Sequence, residues 1–184
     1  ALLELNLEIL NELKSKNTNV CSISPKENNV INIIPESKEL GYVGKPKKIN
    51  KEKILNFIKN KQIPIVVPLG LGDDGRIYNI NADVAAGSIA KEINARRLLL
   101  MTDVDGVLDE NQKLISEINL NKANEMLKNN IISGGMIPKI NTCLDAISNG
   151  VRGVVIVDGR KPHSILFELF SDKGAGTLIR KWII

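Results

Sequence analysis

Aromatic residues make up only 3% of this 184-residue chain, which also has just two cysteines and one histidine. With so few aromatics, the core must be built from Ile, Leu and Val. Cys21 and Cys143 lie far apart in the sequence, which excludes a disulfide framework or a cysteine metal cluster and favours two small apolar residues. Taken alone, His163 indicates a helix-end residue, because no Ser or Cys motif accompanies it to form a catalytic triad.

The chain also lacks long apolar runs and a continuous basic stripe. No run approaches the roughly 18 residues of a membrane span, and no signal segment opens the chain, so we expect a cytoplasmic protein without a membrane partner. The net charge is +4, but Lys and Arg are interleaved with acids and with few aromatics, which argues against nucleic-acid binding. Most of the excess lies in 45–61, where the pattern indicates a solvated helix face.

Apolar strands that alternate with helices predict the fold. Strands are expected at 20–24, 30–34, 63–67, 97–101, 153–157 and 177–180, with helices at 2–14, 50–59, 82–94, 120–129, 135–148 and 162–170. This order predicts an α/β protein, a three-layer αβα sandwich with a mainly parallel central sheet. Ligands bind beyond the carboxyl ends of such strands, which points to the loops 68–83, 102–109 and 158–163. Within the first of these segments, the glycine-rich stretch 70–75 is predicted to be a polar loop.

Asn79 and Asn81 are the first candidate binding residues. Two positions apart in an extended segment, their side chains point the same way, and their amides suit a ligand with carboxylate and amide groups. Asn81 and Asp83 are equally good helix N-caps that need no ligand. Both interpretations remain open at this stage.

The loop 102–109 follows a predicted buried strand and carries three aspartates. Its backbone groups could hold the ribose or base of a nucleotide. The alternatives are a metal site and a hydrophilic turn in which Gly106 adopts a special backbone angle. The spacing does not fit an EF-hand, because the glycine falls too early.

Two glycines, Gly134 and Gly135, precede Lys139 at the start of a predicted helix. Such a turn lets the backbone approach a ligand closely and exposes N–H groups to anions. Lys139 could neutralise charge on a phosphoryl group in transfer. The alternative is a solvated lysine after a glycine turn, and a Walker A loop is excluded because its Gly-Lys-Ser/Thr ending is absent.

Together these segments resemble acetylglutamate kinase, a member of the amino-acid kinase family. The likeness extends from about Leu7 to Ile179 and rests on five motifs in register, which are 41–44, 79–87, 102–108, 132–139 and 157–163. It implies the amino-acid kinase fold and ATP-dependent phosphorylation of the side-chain carboxylate of N-acetyl-L-glutamate to N-acetyl-L-glutamyl 5-phosphate, a step in arginine biosynthesis.

The resemblance also implies roles for individual residues. Asn79 and Asn81 would bind acetylglutamate, Asp83 would orient the catalytic lysines, and Lys139 would stabilise the transferring phosphoryl group. Mg²⁺ would be held through the ATP phosphates, with no metal ligands from the protein, and transfer would be direct and in line. The nucleotide pocket would be formed by Asp103, Val104, Asp105, Gly106, Val107, Leu108, Ile131, Ile132 and Ser133.

The end of the chain resembles the allosteric site of arginine-inhibited members. His163, Glu168, Gly174 and Gly176 would form it, since a carboxylate suits a guanidinium and glycines leave backbone groups open to an α-carboxylate. For full-length members the resemblance implies a homodimer or hexamer, and for some relatives the PII signalling protein as a partner.

The family's first glycine-rich loop, its second catalytic Lys and its substrate Arg have no match here. We therefore expect a single domain that is the C-terminal two-thirds of such an enzyme, with 1–60 ending the acetylglutamate-binding half and 61–184 forming the ATP-binding half. We expect little or no turnover from these residues in isolation. A non-catalytic chain that binds nucleotide or arginine, or another kinase of the same fold, would be the alternative.

Overall fold

The computed structural model describes residues 1–181, which form an α/β fold. The helices are α1 (Leu2–Ser15), α2 (Lys51–Lys59), α3 (Ala82–Glu92), α4 (Leu120–Lys128), α5 (Met136–Ser148) and α6 (Ser164–Phe170). The strands are β1 (Val20–Ile23), β2 (Ile31–Pro35), β3 (Gly44–Ile49), β4 (Ile63–Val66), β5 (Leu69–Gly72), β6 (Ile77–Asn79), β7 (Leu98–Thr102), β8 (Glu117–Asn119), β9 (Gly153–Asp158) and β10 (Gly176–Arg180).

The chain divides into two compact units, Ala1–Ile93 and Asn94–Ile184. The sequence-based division into an acetylglutamate-binding half, 1–60, and an ATP-binding half, 61–184, concerns ligands and not compact units. It stays a prediction. Among residues 1–181, no helix combines the length and the apolar character needed to cross a membrane.

The first unit contains two sheets. Strands β1 and β4 pair in parallel, and a four-stranded sheet has the order β3-β2-β5-β6. In that sheet β2 pairs in parallel with β5, whereas the β2–β3 and β5–β6 pairs are antiparallel. Isoleucines dominate the core beside it, including Ile31, Ile33, Ile54 and Ile80, as expected from the low aromatic content.

Strand β5 covers 70–72 of the glycine-rich stretch 70–75, where the sequence predicts a loop, so that part of the prediction is wrong. The glycines permit close packing here, because a Cβ atom at Gly70 would overlap the side chain of Ile33 on the neighbouring strand. Gly72 is likewise crowded by Tyr78 on β6. The polar turn is confined to the tip of the β5–β6 hairpin.

The second unit is built on one four-stranded sheet of order β7-β9-β10-β8. The β7–β9 and β8–β10 pairs are parallel, and β9–β10 is antiparallel. All six residues of β9 are buried, as the continuous apolar run at 153–157 predicts. The α/β class is therefore confirmed, with mixed sheets in place of a single central one.

Helix boundaries follow local capping. The Asn50 side chain accepts a hydrogen bond from the Lys53 N–H at 3.2 Å and so caps α2 at the predicted start of this helix. Helix α6 begins at Ser164, two residues later than predicted, because His163 has φ of 60° and cannot continue a right-handed helix.

Ile33 and Ile34 provide a test of this packing. Ile33 is fully buried whereas Ile34 is 47% exposed on the other face of the same strand. We expect Ile33→Ala to lower the free energy of unfolding by about 2–5 kcal/mol, because it removes apolar burial and leaves a cavity. Ile34→Ala should cost well under half as much, as measured by urea denaturation. Equal costs would contradict the assigned register of β2.

Candidate functional site

In the first unit, Asn79 ends β6 and Asn81 precedes α3. Both are exposed while Ile80 between them is buried, which agrees with the prediction that the two amides share a direction. The Asn81 side chain accepts hydrogen bonds from the N–H groups of Asp83 at 3.0 Å and Val84 at 3.2 Å. Asn81 therefore caps the helix, and Asn79 is the better placed of the two to meet a ligand.

Asp83 is the second residue of α3, where a carboxylate is favoured by the helix dipole. It is half-buried. The helix behind it is rich in small residues, and Ala85, Gly87 and Ala90 are buried. Such residues let the helix that carries Asp83 pack closely against its neighbours.

The β5–β6 hairpin is fastened beside Asn79. The Asn79 N–H donates to the Tyr42 carbonyl at 2.8 Å, and the Tyr78 hydroxyl donates to Asp74 Oδ2 at 2.8 Å. The pKa of Asp74 is lowered, first by the Arg76 backbone N–H and then by the Tyr78 hydroxyl, whereas the same Tyr78–Asp74 bond raises the pKa of Tyr78. The hairpin thus presents Asn79 on a rigid support.

In the second unit, a cavity of about 280 Å³ lies beside the loop that follows β7. We refer to it as cavity A. Seven of the nine residues predicted to bind the nucleotide line it; Asp103 and Asp105 do not. Its lining residues are Val104, Gly106, Val107, Leu108, Asp109, Gln112, Ile131, Ile132, Ser133 and Met136.

The two aspartates outside cavity A lie in the same loop, and Asp105 contacts the loop after β9. Asp105 forms an ion pair with Lys161 at 2.7 Å. The Gly159 N–H donates to the Thr102 carbonyl at 2.8 Å, so the backbone joins the two loops as well. These contacts place the loops 102–109 and 158–163 side by side at the carboxyl ends of two parallel strands, as predicted for a ligand site in this fold.

Asp158 fixes the start of the second loop. Its buried carboxylate accepts two hydrogen bonds from the Arg160 guanidinium at 3.0 Å and one from the Arg160 N–H at 2.9 Å. The Arg160 side chain, followed by its N–H group, lowers the pKa of Asp158 from 3.8 to about 2. The ionised carboxylate is therefore part of the folded structure.

Lys139 lies one turn into α5, and the helix begins at Met136, which lines cavity A. Gly134, with φ of +56°, turns the chain into the helix in a conformation that favours glycine. No acidic residue lies in the first turn of α5. The positive end of the helix dipole and the Lys139 charge therefore add, and this region attracts anions.

A second cavity in the same unit, cavity B, has a volume of about 540 Å³. Three of the four residues predicted to bind arginine line it, which are Glu168, Gly174 and Gly176. His163 is not among its lining residues and stands instead at the start of α6. The other lining residues are Arg97, Ser116, Glu117, Ser171, Asp172, Lys173 and Leu178.

The Glu168 carboxylate is buried in the wall of cavity B. Its side chain is only 5% exposed, and it accepts hydrogen bonds from Arg97 Nη1 at 3.1 Å and from the Ala175 N–H at 2.9 Å. Gly174 has φ of +67°, and a Cβ atom there would lie 2.7 Å from Glu168 Oε2. A buried carboxylate beside an open backbone suits a guanidinium ligand, and Arg97 shows that the geometry accepts one.

Two cavity-lining positions escaped the sequence analysis. Arg97 is predicted only as the start of a strand, and Gln112 belongs to no motif, although both line cavities. No local signal identifies them, because they reach the cavities only when distant segments pack together. Within the described part of the chain, no group of three or more His, Cys, Asp or Glu residues is arranged to hold a metal ion.

Comparison with known proteins identifies the family of the chain. The model of the amino acid kinase family matches residues 1–158. The chain is 56% identical over 180 residues to the acetylglutamate kinase of Pelagibacter ubique, covering 98% of this chain and 62% of the relative. It is 47% identical over 182 residues to that of Clostridioides difficile, covering 97% and 64%. The chain thus spans less than two thirds of the length of these relatives.

Among solved structures, the protein smu.665 of Streptococcus mutans superposes with a TM-score of 0.82 at 32% identity. The match covers 98% of this chain and 69% of that protein. The predicted family and fold are therefore confirmed by sequence and structure.

The Asp158–Arg160 contact generates a pH prediction. Because the carboxyl has a lower pKa when folded, it stabilises the fold above its ordinary pKa near 3.8, and this contribution is lost as pH falls towards about 2. Asp158→Asn should therefore lower the urea concentration at the midpoint of unfolding at neutral pH, and it should change this midpoint little at a pH near 2. Asp172→Asn, at an exposed position, serves as control. A stability difference between Asp158→Asn and the unsubstituted chain that stays constant across this pH range would contradict a stabilising role of the Asp158 carboxylate.

Proposed function

Because the chain belongs to the amino acid kinase family, we propose that it carries the ATP site and part of the acceptor site of an acetylglutamate kinase. The reaction is ATP-dependent phosphorylation of the side-chain carboxylate of N-acetyl-L-glutamate to N-acetyl-L-glutamyl 5-phosphate, in arginine biosynthesis. The observation that carries this proposal is cavity A, which gathers seven of the nine predicted nucleotide residues beside the helix that bears Lys139. The identity to two acetylglutamate kinases supports N-acetyl-L-glutamate as the acceptor.

The lining of cavity A suits a nucleotide base. Leu108, Ile132 and Met136 offer apolar surface, and loop backbone groups supply hydrogen bonds for the ring edge or the ribose. The start of α5 then offers the positive end of its helix dipole to phosphate groups. Lys139 adds a positive charge that can stabilise the transferring phosphoryl group while negative charge builds up on the leaving oxygen.

The acceptor would be recognised from the first unit. Asn79 offers two N–H donors and one acceptor on a rigid strand end, which fits the α-carboxylate or the amide of acetylglutamate. Asp83 would orient the catalytic lysines by hydrogen bonding. Mg²⁺ on the ATP phosphates would offset their charge when bound, and the chain's own residues need only position the two reactants for direct transfer.

Cavity B supports feedback inhibition by L-arginine. The Glu168 carboxylate would receive the ligand guanidinium, which would displace or join that of Arg97, and open backbone groups near Gly174 and Gly176 would receive the α-carboxylate. For the full-length protein we propose a homodimer or hexamer and, as a partner, the PII signalling protein. Native mass spectrometry and pull-down with PII address these two points.

Lys139→Ala is the direct test of the kinase. We expect kcat to fall roughly 100- to 1,000-fold with little change in acetylglutamate KM, because a charge that acts on the transition state is lost. The assay follows phosphoryl transfer from MgATP to acetylglutamate, aspartate or uridylate. It uses a fusion of this chain to the part of the Pelagibacter ubique enzyme that it does not cover.

Lys128→Ala is the matched control, since Lys128 is exposed at the end of α4. It should retain full activity. A fusion that phosphorylates aspartate or uridylate in preference to acetylglutamate would overturn the proposed acceptor, and an active Lys139→Ala variant would overturn the proposed role.

Glu168→Gln tests arginine binding by isothermal titration. The change keeps the shape of the side chain but removes the charge, and we expect the Kd for L-arginine to rise at least about tenfold. L-citrulline, which is neutral and of similar size, should bind neither protein. Glu92→Gln, at an exposed position in α3, is the control. Equal heats for arginine and citrulline would show that Glu168 does not recognise a guanidinium.

A further inference from the structure

Thr177 lies between the two cavities of the second unit. It is the second residue of β10 and is completely buried. Its neighbour Gly176 lines cavity B, and its side chain contacts residues that line cavity A. The family motifs that identify the nucleotide loop do not include Thr177.

The Thr177 hydroxyl makes two hydrogen bonds in the loop after β7. Oγ1 accepts the Val107 N–H at 2.8 Å and donates to the Ile115 carbonyl at 2.6 Å. The Ile115 N–H in turn donates to the Val107 carbonyl at 2.9 Å. The hydroxyl therefore joins both sides of the 107–115 turn, and Val107 is a lining residue of cavity A.

Gly106 is shaped to accept this contact. Its φ is +145°, and a Cβ atom would lie 2.7 Å from Thr177 Oγ1. Any side chain at this position would separate the loop from the hydroxyl. The Thr177 hydroxyl is therefore a buried contact that helps to hold the loop wall of cavity A in place.

The opposite side of the same segment contacts cavity B. The Ala175 N–H donates to Glu168 Oε2 at 2.9 Å, and Gly176 lines that cavity. Ala175, which is bonded to Glu168, lies two residues before Thr177, which is bonded to Val107. A change in the hydrogen bonds of Glu168 can therefore reach Val107 through this short backbone segment. Antiparallel pairing of Gly176 with Val157 and of Thr177 with Ile156 keeps this segment extended.

We propose that Thr177 is a positioning residue for the nucleotide loop and that the segment 175–177 couples occupancy of cavity B to nucleotide affinity at cavity A. The coupling, though not the positioning, rests on the nucleotide and arginine sites proposed above. Thermodynamic linkage requires it to be reciprocal: arginine changes the Kd of the nucleotide by the same factor as the nucleotide changes the Kd of arginine.

Thr177→Val tests the hydroxyl, because valine keeps the branched shape and leaves the Val107 N–H and Ile115 carbonyl unpaired. We expect hydrogen exchange of the Val107 amide to accelerate at least about tenfold, equivalent to about 1.4 kcal/mol. The Kd for the Mg²⁺ complex of a non-hydrolysable ATP analogue should rise by a similar factor. Thr177→Ser should restore both, and Thr18→Val, in the other unit, should change neither.

The coupling is measured as the ratio of nucleotide Kd values with and without saturating L-arginine. In the unsubstituted chain we expect a ratio above one, and in Thr177→Val a ratio close to one, whereas general destabilisation would leave the ratio unchanged. If Thr177→Val does not fold, Gly106→Ala perturbs the same contact from the loop side and should give the same changes.

The outcomes separate the two levels of the proposal. If the chain binds neither nucleotide nor arginine while Val107 exchange accelerates as expected, the proposed function and the coupling fail but the positioning role stands. Unchanged Val107 exchange in Thr177→Val would overturn the positioning role whatever the ligands do. If the ratio of nucleotide Kd values with and without L-arginine stays above one in Thr177→Val, the coupling through segment 175–177 is overturned.

Discussion

Strand β9 is hydrogen-bonded on both sides, to β7 in parallel and to β10 in antiparallel orientation, and all six of its residues are buried. The rest of the second unit depends on this pairing. The parallel neighbour delivers the 102–109 loop to the same sheet edge as the loop after β9. The antiparallel neighbour returns the chain past cavity B and beside the 102–109 loop, so both cavities share one rigid support.

Different interactions hold the loops at that edge. The Lys161–Asp105 pair is half exposed, and such pairs contribute little to stability because water and salt screen them. The buried hydroxyl of Thr177 and the buried carboxylate of Asp158 lie away from water, where an unpaired group is costly. Geometry at the candidate site therefore depends mainly on buried polar contacts, and the surface ion pair adds local order.

Sequence patterns succeeded where local physics decides the structure. The apolar run at 153–157 predicts a strand covered on both faces, and Asn50 can cap α2 without help from distant residues. The pattern failed at β5, where alternating leucines are separated by glycines. Glycine usually marks a turn, and only the presence of Ile33 on the adjacent strand explains why Gly70 belongs to a sheet.

The sequence by itself determined the α/β class, the family and most of the residues that line cavity A, because motifs and hydrophobic periodicity are properties of neighbouring residues along the chain. Tertiary structure alone decided that Arg97 meets Glu168, that His163 stands apart from cavity B and that Thr177 meets Val107. The last contact joins residues 70 positions apart. Such contacts arise only when the sheet forms, since strand order and register set which distant residues become neighbours.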